Sequence, residues 1–327
     1  MDLYNIPGDN KVDYRLKKFV EYQHNAPSVH YRFLGEWLNK NQKSPDEIVW
    51  LAFVLAITYC EITTILVDLL FRNRKKEYFS FWRIYKEKLV FGSAKRYVKN
   101  KDLFPELMFV FDYKTGGKYY NWLLSHKKDS PEATYKSIYD DLLKMKEIGR
   151  LSADFFLETI VFLKNQLNLN ISEPKEIDWN NGQNLTSGLY NIFYEDEKAR
   201  LFEQKKRLPP KEAERLSAMI VYVKKAISET YPEQNSDLSQ WIGKLCSFRN
   251  LFKGKRYAGY HHDRQLQTIK KYEILFPQQK RLWKECYEIR KKIFPARFLG
   301  ELNGWNGIRK ERTKYWLNKG LTCAEEE

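Results

Sequence analysis

Apolar residues recur along this chain with helical spacing, and the runs they form are framed by helix-starting signals. Ser44-Pro45-Asp46-Glu47 has the form of a capping box with proline at the first helical position, and it predicts a helix running to about Phe71. Within it, Ile48 to Cys60 is the most apolar stretch, thirteen residues long. Spanning a bilayer takes about 20, and Glu61 and Asp68 follow, so the stretch predicts a buried helix and no membrane partner. Ser130-Pro131-Glu132 opens a second helix that carries Ile138, Leu142, Leu143 and Met145 on one side and ends near Gly149. Ser152 is placed to cap a third, through Phe162. Four more follow: from Pro209-Pro210 through Tyr231, from Asp237 through Phe252, from Asp263 through Phe276 and from Pro277 through Phe294. Prolines tend to sit where helices begin. Leu107 to Tyr113 has an extended alternative, but no alternating series with hairpin turns recurs. The expectation is a mainly α fold with few or no strands, 1–327 forming one helical unit with room for two lobes. Its N-terminal helical part would be 30–150 and its basic part 151–325.

Composition narrows the class. With 327 residues, 43% hydrophobic and 16% aromatic, the chain has ample material for a core, which excludes intrinsic disorder. Cys60, Cys246, Cys286 and Cys323 are too widely spaced for paired zinc ligands or a disulfide framework, which points to a reducing compartment. The first residues, MDLYNIPGDNKVDYR, lack the basic and apolar regions of a secretory signal, so a cytoplasmic location is expected. The formal charge is +15, from 57 Lys and Arg against 42 Asp and Glu. Its distribution changes the picture more than its size. Residues 244–319 hold 20 Lys and Arg against 6 Asp and Glu, net +14, which leaves +1 on the other 251 residues. Phe248, Phe252, Tyr257, Tyr260, Trp283, Tyr287, Trp305, Tyr315 and Trp316 are interleaved with these charges. A basic surface with aromatic insertions suits a nucleic acid, which offers phosphates and stackable bases. The plainer alternative is a solvated basic face around core aromatics.

Several segments carry candidate chemistry. Lys146 to Ala153 lies between two predicted helices and resembles a worn helix-hairpin-helix, in which Gly149 would free a turn and the next helix's N-terminus would meet a DNA phosphate. Asp178 stands where glycosylases of that type keep a catalytic aspartate, although at longer spacing. Lys244, Arg249 and Lys253 recur along a predicted helix end and suit phosphate, with Lys255 and Arg256 in the loop that follows. His261 and His262 suit proton transfer, and Asp263 suits either that or a helix cap. Two adjacent histidines without a third ligand do not make a zinc site. Glu61 has two readings: it lies at the exposed edge of its helix with Asp68, seven residues on, or it is a site carboxylate. Cys246 has basic neighbours that could lower its pKa for addition to a pyrimidine, or it is a buried structural thiol. Asn191, Asn250 and Asn303 suit a base edge or a carboxylate, and equally suit turns.

The run 243–265, GKLCSFRNLFKGKRYAGYHHDRQ, together with YCEIT at 59–63, LTSGLYN at 185–191 and RFLGELNGW at 297–305, resembles the bacteriophage amino acid:DNA transferases. That family lies close to the alpha-glutamyl/putrescinyl thymine pyrophosphorylases, and the resemblance extends from about His30 to Glu325. It implies a DNA hypermodification enzyme with a helical DNA-glycosylase-like fold of the helix-hairpin-helix type, acting in the infected bacterial cell. Its substrates would be double-stranded DNA carrying a phosphorylated 5-hydroxymethyluracil and a free amino acid or polyamine. The amine nitrogen would displace phosphate or pyrophosphate from the exocyclic methylene. The leaving group stores the activation, so no cofactor or metal is expected. The base must leave the stack, and Tyr260, Trp305 or Phe248 could wall the extruded pyrimidine. Arg249, Lys253 and Arg264 would stabilise the departing anion, with Gly149, Lys244, Lys255, Arg256 and Arg309 on the DNA backbone. Glu61, Asp178, His261, His262 and Asp263 are the candidates for the base that deprotonates the amine. Asn191, Asn250, Tyr260, Glu301, Asn303 and Trp305 would recognise the base or the amino acid. No phosphate-cradling GxxxxGK[ST] occurs, so the chain is not the kinase that supplies the substrate. The alternatives are a glycosylase or lyase using Asp178, and a nucleic-acid-binding protein without catalysis.

Overall fold

A computed structural model of the chain describes residues 15–17, 19, 29–71, 78–92, 95–174, 183–193, 210–230, 245, 260–294 and 299. The fold is mainly α: among the described residues there are twelve α-helices, one 3₁₀ turn and no strand. The helices are α1 (Val29–Lys40), α2 (Pro45–Thr58), α3 (Glu61–Phe71), α4 (Tyr78–Tyr85), α5 (Lys95–Thr115), α6 (Tyr119–Ser125), α7 (Pro131–Leu142) and α8 (Arg150–Phe162), then α9 (Gln183–Phe193), α10 (Pro210–Thr230), α11 (Tyr260–Leu275) and α12 (Lys280–Ile293). The chain divides into two units, each assembled from separated segments. The larger comprises Ser28–Pro174 and Arg264–Phe294, the smaller Met1–Pro27, Lys175–Asp263 and Pro295–Glu327.

In the larger unit α2 is the central element. Every residue from Ile48 to Thr58 is buried, as expected of a helix that is apolar on all sides. It packs against α3, α5, α6 and α8. Phe53 stacks on Phe111 with ring centroids 3.8 Å apart and meets Phe156 edge-on. Its start is the expected capping box: Ser44 Oγ accepts from the Glu47 amide, and the Glu47 carboxylate accepts from the Ser44 amide at 2.8 Å. Ser130 caps α7 in the same manner, accepting from the Ala133 amide at 3.0 Å. No helix among the described residues is long and apolar enough to cross a membrane.

The expected single helix from Ser44 to Phe71 is broken. Tyr59 adopts a left-handed conformation (φ 48°), which ends α2, and α3 starts afresh at Glu61. The cause lies elsewhere in the chain. The segment 89–92 runs against the break, where the Gly92 amide donates to Thr58 O at 2.8 Å. A Cβ on Gly92 would lie 2.7 Å from the Tyr59 Cβ, so only glycine allows this approach. The strap is fixed further by Thr63, whose hydroxyl donates to Val90 O at 2.5 Å, and by Tyr272, whose phenolic oxygen accepts from the Val90 amide at 2.7 Å. Thr63 has one hydroxyl hydrogen and spends it on Val90, so Tyr272 must be the donor in the 2.7 Å contact between the two hydroxyls. Every polar atom in this closed set has a partner.

Other expectations shift as well. Residues 107–113 lie inside α5 and are not extended, and that helix carries Pro105 in its interior, contrary to the tendency of prolines to mark starts. Gly149, not Ser152, is the N-cap residue of α8, and Ser152 is buried one turn in. Gly149 is extended (φ −87°, ψ 167°), a conformation open to any residue, and a Cβ there would meet nothing within 4 Å. The left-handed residue of the α7–α8 turn is Glu147 (φ 68°), so glycine's freedom is not what shapes it. Asp263 lies in the first turn of α11, which begins at Tyr260, so it complements the helix dipole without capping the helix. The helix expected from Asp237 to Phe252 lies outside the described residues except at Leu245, which is helical. In the smaller unit α9 packs on α10. There a Cβ on Gly188 would lie 2.3 Å from the Leu245 carbonyl oxygen.

Two expected outcomes follow. Gly92→Ala drives Cβ into Tyr59 and costs about 2 kcal/mol or more in urea unfolding, whereas Gly149→Ala changes stability by less than about 1 kcal/mol. Equal losses at the two positions would contradict the packing described. The second concerns Glu158 on α8, which accepts a hydrogen bond from Tyr31 on α1. Burial, joined by the charges of Glu173 and Asp154, pushes its carboxyl up to about 8 against the pull of the Tyr31 hydroxyl. A raised folded pKa favours the protonated fold, so this contribution is complete below the ordinary value of 4.5 and is lost as pH rises to about 8. Stability measured across that window should decline more in the wild type than in Glu158→Gln, whose amide stays neutral.

Candidate functional site

Because α3 restarts at Glu61, a carboxylate stands in its first turn, facing the interior, where the helix dipole favours negative charge. Glu61 is 2% exposed, and Asp68 is buried too, so the reading that placed both at an exposed edge does not hold. Asp68 meets the Lys43 ammonium at 2.9 Å, and Lys43 also lies over the Trp37 ring. Glu61 is held differently, by side chains from three other helices. His30 Nδ1 on α1 lies 2.5 Å from Glu61 Oε2. Gln265 Nε2 on α11 donates to Glu61 Oε1. Arg290 on α12 donates to Gln265 Oε1 at 2.6 Å. All four residues belong to the larger unit.

The directions of these bonds follow from chemistry. Arginine has donors only, so the Gln265 oxygen must face Arg290 and its amide nitrogen must face Glu61. Glu61 is then an acceptor at both oxygens, and His30 presents Nδ1–H to it. Burial pushes the Glu61 carboxyl up, but the charge and hydrogen bond of His30, its own backbone amide and Gln265 together outweigh that and hold it below the ordinary carboxylate range. The network therefore carries an ionised carboxylate in the core, bridged through Gln265 to a guanidinium that is itself 2% exposed. Arg290 also lies over the Phe294 ring, 5.5 Å from its centroid.

The surroundings are apolar. Tyr59 and Phe155 flank the imidazole, with ring centroids 5.0 and 6.0 Å from that of His30. Cys60 and Cys286 are buried free thiols, and burial with the Glu61 charge pushes both up, Cys60 to about 11. Neither is a thiolate nucleophile near neutral pH. Among the described residues no three His, Cys, Asp or Glu side chains converge as a metal site. A groove of about 580 Å³ lies along α11 and α12, with Trp283, Tyr287 and Pro277 on its walls. Its Lys280, Lys284 and Lys291 make no ion pair among the described residues, while Glu288 is tied to Lys40 and Glu273 to the Tyr287 hydroxyl, each at 2.8 Å.

Of the residues singled out from the sequence, Glu61 is in this network and Arg264 stands beside it, donating to Phe91 O at 3.2 Å on the strap. His261, His262 and Asp263 occupy the preceding turn of α11, counted with the smaller unit, His262 and Asp263 buried there. Asn191 on α9 is buried, and its amide nitrogen makes no hydrogen bond among the described residues. Gly149 is at the start of α8. Asp178, Lys244, Cys246, Phe248, Arg249, Asn250, Lys253, Lys255, Arg256, Glu301, Asn303, Trp305 and Arg309 lie outside the described residues, as does the Tyr260 side chain. Sequence reasoning missed His30, Gln265 and Arg290. Arg290 did leave a signal: it falls on the face of α12 formed by Leu282, Trp283, Cys286, Ile289 and Ile293, and an arginine at a core position calls for a buried acidic partner.

Comparison of the chain with protein-family models, with curated proteins and with solved structures finds no match in any of the three. The network itself is open to test. Arg290→Met is expected to lower stability at pH 7 by about 3 kcal/mol, because it leaves the buried carboxylate uncompensated. Since the folded pKa of Glu61 is lowered, the stability it contributes is present above the ordinary carboxylate pKa and is lost as pH falls through the folded value. The gap between wild type and variant should therefore narrow in acid; a gap that stays constant would show that the charge is not what Arg290 answers.

Proposed function

We propose that this chain is a DNA-base-modifying transferase, which replaces the phosphate or pyrophosphate on the methylene of a phosphorylated 5-hydroxymethyluracil in double-stranded DNA with the nitrogen of a free amino acid or polyamine. The observation that carries this reading is the ionised Glu61, buried and hydrogen-bonded to an imidazole, within a segment of the YCEIT motif. Such a pair handles protons, and the proposed substitution demands proton handling: the amine attacks carbon, the carbon–oxygen bond breaks, phosphate leaves with the electron pair, and the new nitrogen bond is secured by loss of a proton. The localised positive charge supports a polyanionic partner, and part of it is seen on the lysines of the α12 groove. The resemblance of the four motifs to the phage amino acid:DNA transferases supports the reaction class. On this reading the α7–α8 pair serves as the helix-hairpin-helix, and the enzyme works on DNA in the cytoplasm of an infected bacterial cell.

The experiment is direct. The full chain, incubated with duplex DNA containing 5-phosphomethyluracil or its pyrophosphate and a panel of amino acids and polyamines, is expected to yield an amine-substituted nucleoside by mass spectrometry with release of the anion. Abasic sites in place of an adduct would overturn this reading in favour of base removal, and DNA binding without product would overturn it in favour of a binding protein.

A further inference from the structure

We propose that His30 is the general base of the reaction, taking the proton of the incoming amine at Nε2, and that Glu61, Gln265 and Arg290 are positioning residues that fix its tautomer. This rests on the transferase reading and deepens it, because none of the base candidates evident in the sequence was His30.

The argument is one of direction along the relay. Arg290 fixes the Gln265 amide, the amide fixes one oxygen of Glu61, and the other oxygen accepts from His30 Nδ1 at 2.5 Å. Both carboxylate oxygens are thereby committed and Glu61 is 2% exposed, so it is not placed to meet a substrate nitrogen itself. With Nδ1 serving as donor to a carboxylate, gain and loss of a proton fall to Nε2. A carboxylate behind an imidazole orients the ring and stabilises the imidazolium once the proton arrives. His30 is also the outermost member of the relay, its side chain 17% exposed. Nε2 is shielded from bulk water, so an amine that meets it does so where solvent competes little for the proton. After transfer the relay holds a cationic imidazole, the Glu61 carboxylate and the Arg290 guanidinium, and the proton leaves from Nε2 to water once the product departs.

A second carboxylate–imidazole pair in the same unit shows what the arrangement looks like without such a role. His126 Nε2 lies 3.3 Å from Asp141 Oδ2, but its Nδ1 is 3.1 Å from Ser137 Oγ. Asp141 is shared with Lys114 at 2.9 Å and with Trp122 Nε1 at 3.1 Å. Both ring nitrogens of His126 are engaged in ties between α5, α6 and α7, and burial lowers its pKa further. His126 is the internal control.

The test uses the full chain, phosphomethyluracil duplex and the amine that gives most product. His30→Gln is expected to lower kcat by about 10²–10⁴-fold, to abolish the acid limb of the pH–rate profile, and to leave duplex affinity and the melting temperature close to wild type. His126→Gln is expected to keep both rate and limb. Nitrogen-15 spectra of the histidine rings in the free protein should show Nδ1–H with Nε2 deprotonated for His30, a preference that weakens in Glu61→Gln. Wild-type transfer with an undiminished His30→Gln, or an Nε2–H tautomer for His30, overturns this assignment while the transferase reading stands. Absence of any adduct from the wild-type chain overturns both.

Discussion

A carboxylate that stays ionised inside a helical core needs partners that replace water completely, and Glu61 imposes that demand on four helices at once. α1 supplies an imidazole, α11 an amide and α12 a guanidinium, while α3 supplies the carboxylate and the positive end of its dipole. The restart of the chain at Glu61 is what turns the carboxylate inward, and that restart depends on the strap at 89–92 occupying the break. Stability alone does not account for the set. Apolar side chains of similar volume in place of a buried ionic network commonly leave a protein as stable or more so. A network that is satisfied at every step, and directional from arginine to imidazole, is accounted for by what its outer end does.

What was legible in the sequence is what local chemistry decides. The starts of α2 and α7 follow from Ser44 and Ser130 with the prolines and carboxylates next to them, because an N-cap acts within four residues. The end of α8 at Phe162, the start of α10 at Pro210 and the buried character of 48–58 are local in the same sense. The mainly α class follows from adding such signals together.

The break at Tyr59 was not legible because neither Tyr59 nor Cys60 is a helix breaker; the force comes from Gly92, 33 residues later in the chain and pressed against Tyr59. The partners of Glu61 are similarly distant, 31 residues away at His30 and 204 at Gln265. No spacing rule connects such positions. Only Arg290 betrayed itself, by placing a cation on the apolar face of α12, and an arginine so placed implies an acid without naming it. The choice of Glu61 as a site carboxylate was therefore available from the sequence, and the identity of its imidazole was not.

Glycine shows where residue chemistry was read with the wrong cause. Gly149 suggested a turn that needs a left-handed residue, yet Glu147 adopts that conformation and Gly149 is extended. The glycines that matter act by absence of volume. Gly92 admits the strap to the α2–α3 break, and Gly188 admits the Leu245 carbonyl to within 2.3 Å of where a Cβ would be. The motif at 185–191 is thus a packing motif first: Gly188 sets how near the chain passes to α9, and Leu189, Tyr190 and Ile192 fill the core beside it. Asn191 does not fit that account, because a buried amide nitrogen without a hydrogen bond among the described residues costs about 1–3 kcal/mol. On α9 it is the residue whose presence packing leaves unexplained.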